Sequence, residues 1–144
     1  LFSQQGLKEV SIQYLENFIR SAPEDVSETQ MMLAGLYRET KRYAEAGELL
    51  LKVFDDEAIE FGSKALIIAT LNAEINEAKA SGAKKDDTEK LAFTLYEKLA
   101  AKNPDESQLY ILGGDLYLTA GNQQKARESY QKAVKLGEVN IEVW

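Results

Sequence analysis

Asp55, Asp56 and Glu57 stand side by side, and grouped carboxylates are the raw material of a divalent-cation site. Neighbours on a helix point in different directions, however, and no glycine-centred calcium loop surrounds these three, so a solvated turn is the stronger reading. Asp86 and Asp87 follow Lys84 and Lys85 and read as a helix cap within a loop. Ser81-Gly82 and Gly113-Gly114 offer the pliable backbone of a phosphate loop, but no strand precedes them and no Gly-Lys-Ser/Thr follows. The chain has neither His nor Cys. It therefore lacks the commonest general base, the His of a serine triad, a thiolate nucleophile and zinc-cysteine ligands. Tyr and Lys are present, yet no constellation singles any of them out. No catalytic residue, metal or cofactor is expected.

Composition narrows the remaining classes. A net charge of −7 repels phosphate backbones, which argues against nucleic acid and gives no help towards an anionic membrane. No apolar run is long enough to cross a bilayer, so direct membrane insertion is not expected. At 144 residues and 44% hydrophobic, the chain can bury a core as one domain or form a short solenoid. Two prolines, and a predominance of Ala, Leu, Glu and Lys, favour an all-helical chain.

The elements that must position any working surface are clearest over residues 106–137. Tyr110, Gly113, Gly114 and Tyr117 share one helical face, Gly121-Asn122 ends that helix, and Ala126, Tyr130 and Ala133 form the stripe of a second. Two helices joined by a tight turn make an antiparallel hairpin. Paired glycines inside a helix imply close approach of a neighbour, with Tyr130 expected against Gly114.

Further back, residues 7–21 read as a helix with Ile12, Leu15, Phe18 and Ile19 as its stripe, ended by Ala22-Pro23. Residues 1–6 read as the last turn of a helix whose start is missing, the mark of a fragment of a longer protein. Asp25 or Ser27 is expected to cap a helix running to about Thr40, with Gln30, Leu33, Ala34 and Tyr37 as its packing face. Lys41-Arg42 is the turn, and Ala46, Leu50 and Val53 follow on the partner helix. A long apolar helix starts at Ile59 or Phe61 and reaches about Ala80, followed by a polar loop. Asp86 with Glu89 reads as the capping box of a helix carrying Ala92, Tyr96 and Leu99. Tyr37 to Tyr117 and Ala46 to Ala126 share one offset. A new element is expected from Asn140 to Trp144.

This recurring pattern resembles the tetratricopeptide repeat, in which an aromatic, Leu-Gly and Tyr on one helix are followed by Ala, an aromatic and Pro around the next. Tyr110, Gly114, Tyr117, Ala126, Tyr130 and Ala133 match, while Gly113 stands in place of Leu and Glu138 in place of Pro. Overall it resembles the multi-repeat members abundant in Bacteroidetes-type bacteria. The resemblance implies an all-α, right-handed superhelical solenoid of antiparallel hairpins. It divides the chain into a half repeat 1–24, a repeat 25–57, a repeat with an insertion 58–105, a repeat 106–138 and the start of another at 139–144. The insertion is about a dozen residues, since Ala46 to Ala92 exceeds a repeat of roughly 34 by that much.

The resemblance also implies a function: a protein–protein interaction scaffold, without catalysis, binding a peptide or helix in the concave groove lined by the first helices. Off the packing stripe the groove candidates are Glu28, Met31, Gly35, Arg38 and Glu39, then Asn72 and Asn76 one turn apart, then Gln108, Ile111, Asp115, Leu118 and Thr119. Met31, Gly35, Gln108 and Leu112 stand where the family's clamp for acidic chaperone tails needs cations and an amide. A hydrophobic or basic segment is the better fit. Two other classes stay open: a helical domain attached to a catalytic or envelope-assembly protein, and a structural spacer that self-associates through exposed repeat ends. The resemblance leans towards a bacterial periplasm or cell envelope.

Overall fold

The computed structural model describes residues 4–21 and 26–142, with side chains placed as far as residue 137. Every described element is a helix: α1 Gln4–Ser21, α2 Ser27–Glu39, α3 Tyr43–Asp55, α4 Phe61–Ala80, α5 Asp86–Lys102, α6 Ser107–Thr119 and α7 Gln123–Glu142. No strand occurs among the described residues. The fold class is thus all-α, of packed antiparallel hairpins. The helices fall into two compact units, Leu1–Ile59 and Glu60–Trp144.

In the first unit α2 packs on both α1 and α3. Its core gathers Ile12, Leu33, Tyr37 and Ala46, flanked by Leu15, Ile19, Leu36 and Leu49. Ala46, Leu50, Val53 and Phe54 recur at helical spacing, and all four are buried. Phe18, expected in the α1 stripe, is exposed.

In the second unit α4 packs on α5 and α6, and α6 packs on α5 and α7. Enclosed in this way, α6 buries Leu109, Tyr110, Leu112, Gly113, Gly114 and Leu116. The glycines make the closeness possible. A Cβ on Gly114 would lie 2.6 Å from Cδ1 and Cζ of Tyr130, the partner expected for it. Gly113, which departs from the repeat pattern, is met from the other side: its Cβ would stand 2.7 Å from Cζ of Tyr96. Tyr110 donates its hydroxyl to the Pro104 carbonyl at 2.6 Å, and Phe93 packs on Tyr117 with ring centroids 5.4 Å apart.

One turn closes all three hairpins. After α2, the Arg42 N–H donates to the Tyr37 carbonyl at 2.7 Å and the Lys41 N–H to Arg38 at 3.1 Å. After α6, Asn122 donates to Tyr117 at 2.8 Å and Gly121 to Leu118 at 3.0 Å. After α4, Ala83 donates to Ala78 at 2.8 Å and Gly82 to Lys79 at 3.0 Å. This is the Schellman arrangement, which needs a left-handed residue just past the helix. Gly82 and Gly121 supply it with φ of 80° and 83°, and Lys41 adopts it at 64°. The middle hairpin differs in length: α4 has 20 residues against 13 in α2 and α6.

Several terminal expectations change. Gln4, Gln5 and Gly6 are continuous with α1 and form no separate turn. Val26 occupies the N-cap of α2 without a side-chain bond, and the Ser27 hydroxyl donates to the Asp56 carboxylate instead. The capping box of Asp86 and Glu89 is not made: Lys85 is the N-cap residue, and both acids sit in the first turn, where the helix dipole favours them. No turn forms at Glu138. With no Pro to stop it, α7 runs through Gly137 to Glu142, so the boundary expected at 138/139 and the start of the element expected at Asn140 fall inside one helix. Residues 1–3, 22–25 and 143–144, including Asp25 and Trp144, lie outside the described residues.

Candidate functional site

The polar clusters are used by the fold. Asp55 ends α3, and Asp56 accepts the Ser27 hydroxyl and, at 2.9 Å, the Ala58 N–H. That is a side chain folding back on its own turn. Among the described residues no group of three or more His, Cys, Asp or Glu is placed to hold a metal ion, and no helix is long and apolar enough to cross a membrane.

The surface candidates divide by how their helices are enclosed. On α6, spacings of three and four residues put Gln108, Ile111, Asp115 and Leu118 on the one exposed face. Ile111 and Leu118 are 48% and 52% exposed, although the rest of the helix is closely packed. Asp115 accepts the Tyr130 hydroxyl at 2.5 Å. Burial, then this bond, pushes the Tyr130 phenol up to about 12, so it stays a proton donor at neutral pH.

Thr119 does not join that face. It is buried, its hydroxyl donates to the Asp115 carbonyl at 3.0 Å, and its own carbonyl accepts the Lys79 ammonium. Asn72 and Asn76 do not form the expected surface pair either. Asn76 is exposed, but Asn72 lies in the core face of α4 beside Ile68, Leu71 and Ile75, with no hydrogen-bond partner for its Oδ1. A helix contacted on two sides buries a wider arc than the single stripe read from sequence, and Asn72 and Thr119 fall inside that wider arc.

On α2, Glu28, Gly35 and Glu39 are exposed, while Met31 and Arg38 are half-buried. The Arg38 guanidinium lies 5.5 Å from the centre of the Tyr43 ring. Glu39 pairs with Lys8 at 3.5 Å.

Two grooves emerge that periodicity alone did not mark. One, about 720 Å³, runs between α1 and α2 past Val10, Tyr14, Leu15, Met32, Gly35, Leu36 and Glu39. The other, about 830 Å³, runs along α7 beside the end of α6, past Leu118, Tyr130, Val134, Arg127 and Lys135. Their charges differ in sign: Glu39 lines the first, Arg127 and Lys135 the second. Val10, Tyr14 and Val134 are large apolar residues that the structure leaves exposed, and their residue types alone did not separate them from the buried stripes.

The sequence model for the tetratricopeptide repeat matches residues 92–140. Over 140 residues the chain is 31% identical to Protein O-mannosyl-transferase TMTC3 of Mus musculus and 30% identical to that of Homo sapiens, an overlap of 94% of this chain. The chain spans about 15% of the length of these curated relatives. Both are mammalian, so the bacterial placement draws no support from them. The solved structure "MamA MSR-1 C2" superposes with a TM-score of 0.55 over 95% of this chain and 71% of that chain. At 19% identity this likeness speaks for the fold alone. The hairpin turns repeat, the paired glycines pack under tyrosines, and the repeat model matches residues 92–140, so that stretch carries a tetratricopeptide repeat and the chain as a whole is similar in fold to proteins built of such hairpins.

Proposed function

We propose that the chain is a protein–protein interaction scaffold that works by presenting preformed helix faces, with no covalent chemistry of its own. The observation that carries this reading is the outer face of α6. Ile111 and Leu118 stand half-exposed, two turns apart, on a helix held rigidly by α4, α5 and α7. A fixed pair of apolar side chains flanked by Gln108 and Asp115 suits an extended or helical segment with apolar anchors. In this reading Met31, Gly35, Arg38 and Glu39 form the corresponding face of α2, Asn76 offers a side-chain amide on α4, and the repeats occupy 25–57, 58–105 and residues 106 onward after a half repeat 1–24.

The test is Leu118→Arg. The position is exposed, so the helical signal in circular dichroism should be retained. Calorimetry with a peptide selected on the wild-type chain should show affinity falling about tenfold or more, the usual effect of losing an apolar anchor. Unchanged affinity would move the site off α6.

A second reading rests on the curated relatives, which are named as transferases and of which this chain spans a small part. Here the helical repeats serve as the attached binding region of a catalytic or assembly protein. The full open reading frame decides this: a catalytic domain on the same polypeptide supports it, and a chain made of repeats alone rules it out.

A further inference from the structure

The seam between α4 and α6 holds hydrogen-bonding groups that the fold leaves unused. The two helices pack together, and the Lys79 ammonium donates to the Thr119 carbonyl, which brings their C-terminal ends side by side. On α4, Asn72, Asn76 and Lys79 recur at spacings of four and three residues and so form one row. On α6, Gln108, Leu112, Asp115 and Thr119 form another. The Lys79–Thr119 bond joins the rows at one end, so both border the seam. Asn76 and Asp115 each lie about one turn back from that bond, at one level on opposite sides. Both are exposed, although their helices are packed against α5 and against each other.

What these groups lack is a donor. Asn72 is 9% exposed, and its Oδ1 has no hydrogen-bond partner, an arrangement that costs stability in a closely packed unit. Asp115 is the only charged residue of α6. One of its carboxylate oxygens accepts the neutral Tyr130 hydroxyl, which fixes its direction, and no ion pair reaches it among the described residues. The last turn of α6 carries no basic residue, so the helix dipole adds negative potential near this carboxylate. Lys79, the cation of the two rows, is already engaged by the Thr119 carbonyl.

We propose that this seam is a subsite for an arginine side chain of a peptide bound along the α6 face. A guanidinium has N–H donors and no acceptor, which complements a set of groups short of donors. Asp115 accepts a charge-assisted pair of its N–H groups, and the amide oxygens of Asn76 and Asn72 accept the others. A lysine ammonium lacks the planar fork that meets a carboxylate and two amides at once. The proposal rests on the α6 reading for the remainder of the peptide. Ile111 and Leu118 lie about one turn to either side of Asp115, so the fitting segment sets its arginine between two apolar anchors.

The probe is the tightest peptide selected from a random display library on the wild-type chain, titrated by calorimetry beside the same peptide with citrulline, a neutral isostere, in place of arginine. An arginine is expected in the selected sequence, and citrulline should weaken binding to wild type about tenfold. Asp115→Asn keeps an oxygen for the Tyr130 hydroxyl and removes the charge. It should weaken the arginine peptide by a similar factor and bind the two peptides alike. Asn72→Leu should weaken the arginine peptide several-fold, and circular dichroism checks that both variants fold. Unchanged affinity in any of these comparisons, a selected peptide without arginine, or a library that yields no binder overturns the proposal. Leu118→Arg separates it from the reading it rests on. If that change weakens binding and citrulline and Asp115→Asn do not, the arginine subsite alone fails. If Asp115→Asn and citrulline weaken binding and Leu118→Arg does not, the subsite stands and the apolar anchors fail.

Discussion

Replacing Gly114 by Ala adds one carbon where the structure has no room for it. That Cβ would stand 2.6 Å from two carbons of the Tyr130 ring, against about 3.5–4.0 Å for ordinary carbon contact. The ring must retreat by about 1 Å, and its hydroxyl is held by Asp115 at 2.5 Å. Overpacking of this size costs about 1–3 kcal/mol. Against it stands the gain in helix propensity on replacing Gly, about 0.8–1.0 kcal/mol. Gly137 in α7 and Gly35 in α2 supply controls, because a Cβ on either meets nothing within 4 Å. Gly137→Ala and Gly35→Ala should therefore show the propensity gain alone. The difference between Gly114→Ala and Gly137→Ala, both in the second unit, isolates the clash at about 1–3 kcal/mol. Urea unfolding followed by circular dichroism measures it. Combining Gly114→Ala with Tyr130→Ala should show positive coupling, since the second change removes the obstructing ring. If Gly114→Ala stabilises the chain as much as Gly137→Ala does, the close approach of α6 and α7 is refuted.

Three further outcomes follow from the same coordinates. Lys41→Gly should gain about 1 kcal/mol in urea unfolding, because φ of 64° is unfavourable for a residue with a Cβ; no gain would mean the turn relaxes elsewhere. Burial, reinforced by Tyr117 and Tyr110, pushes the Tyr96 phenol up to about 12 from 10.0, so the folded chain holds that proton more tightly than the unfolded chain. Its contribution is complete below pH about 10 and is lost as pH rises through about 12, so wild type should lose stability relative to Tyr96→Phe across that window, and parallel curves would contradict the assignment. Asn72→Leu should gain about 1 kcal/mol by removing a buried, unpartnered carbonyl oxygen; a loss would show the amide is engaged.

Much of this molecule was legible in its residues. The hairpin of α6 and α7, the Tyr130 ring over Gly114 and the buried stripe Ala46, Leu50 and Val53 all follow from spacing and from the cost of glycine in a helix. The Tyr96–Gly113 contact was not, since it joins helices that are not sequential neighbours in a hairpin and Gly113 breaks the repeat pattern. Helix ends were the least legible. Ser27, Asp86 and Glu89 are good capping types, but Ser27 found Asp56, and the acids lie one position too far inside α5. The groove candidates separated according to how many neighbours their helix has, which periodicity does not encode. Ile111 and Leu118 stayed on the surface, and Asn72 and Thr119 did not. The same limit hid the α1–α2 groove: Phe18 reads as part of the buried α1 stripe, yet the structure leaves it exposed.

The working-surface claim is tested most directly by measuring one peptide against two chains. Peptides are selected from a random display library on the wild-type chain, and the tightest is titrated by calorimetry into wild type and into Leu118→Arg. The α6 face predicts a loss of about tenfold or more in affinity with the fold intact. Equal affinity for both chains would contradict it.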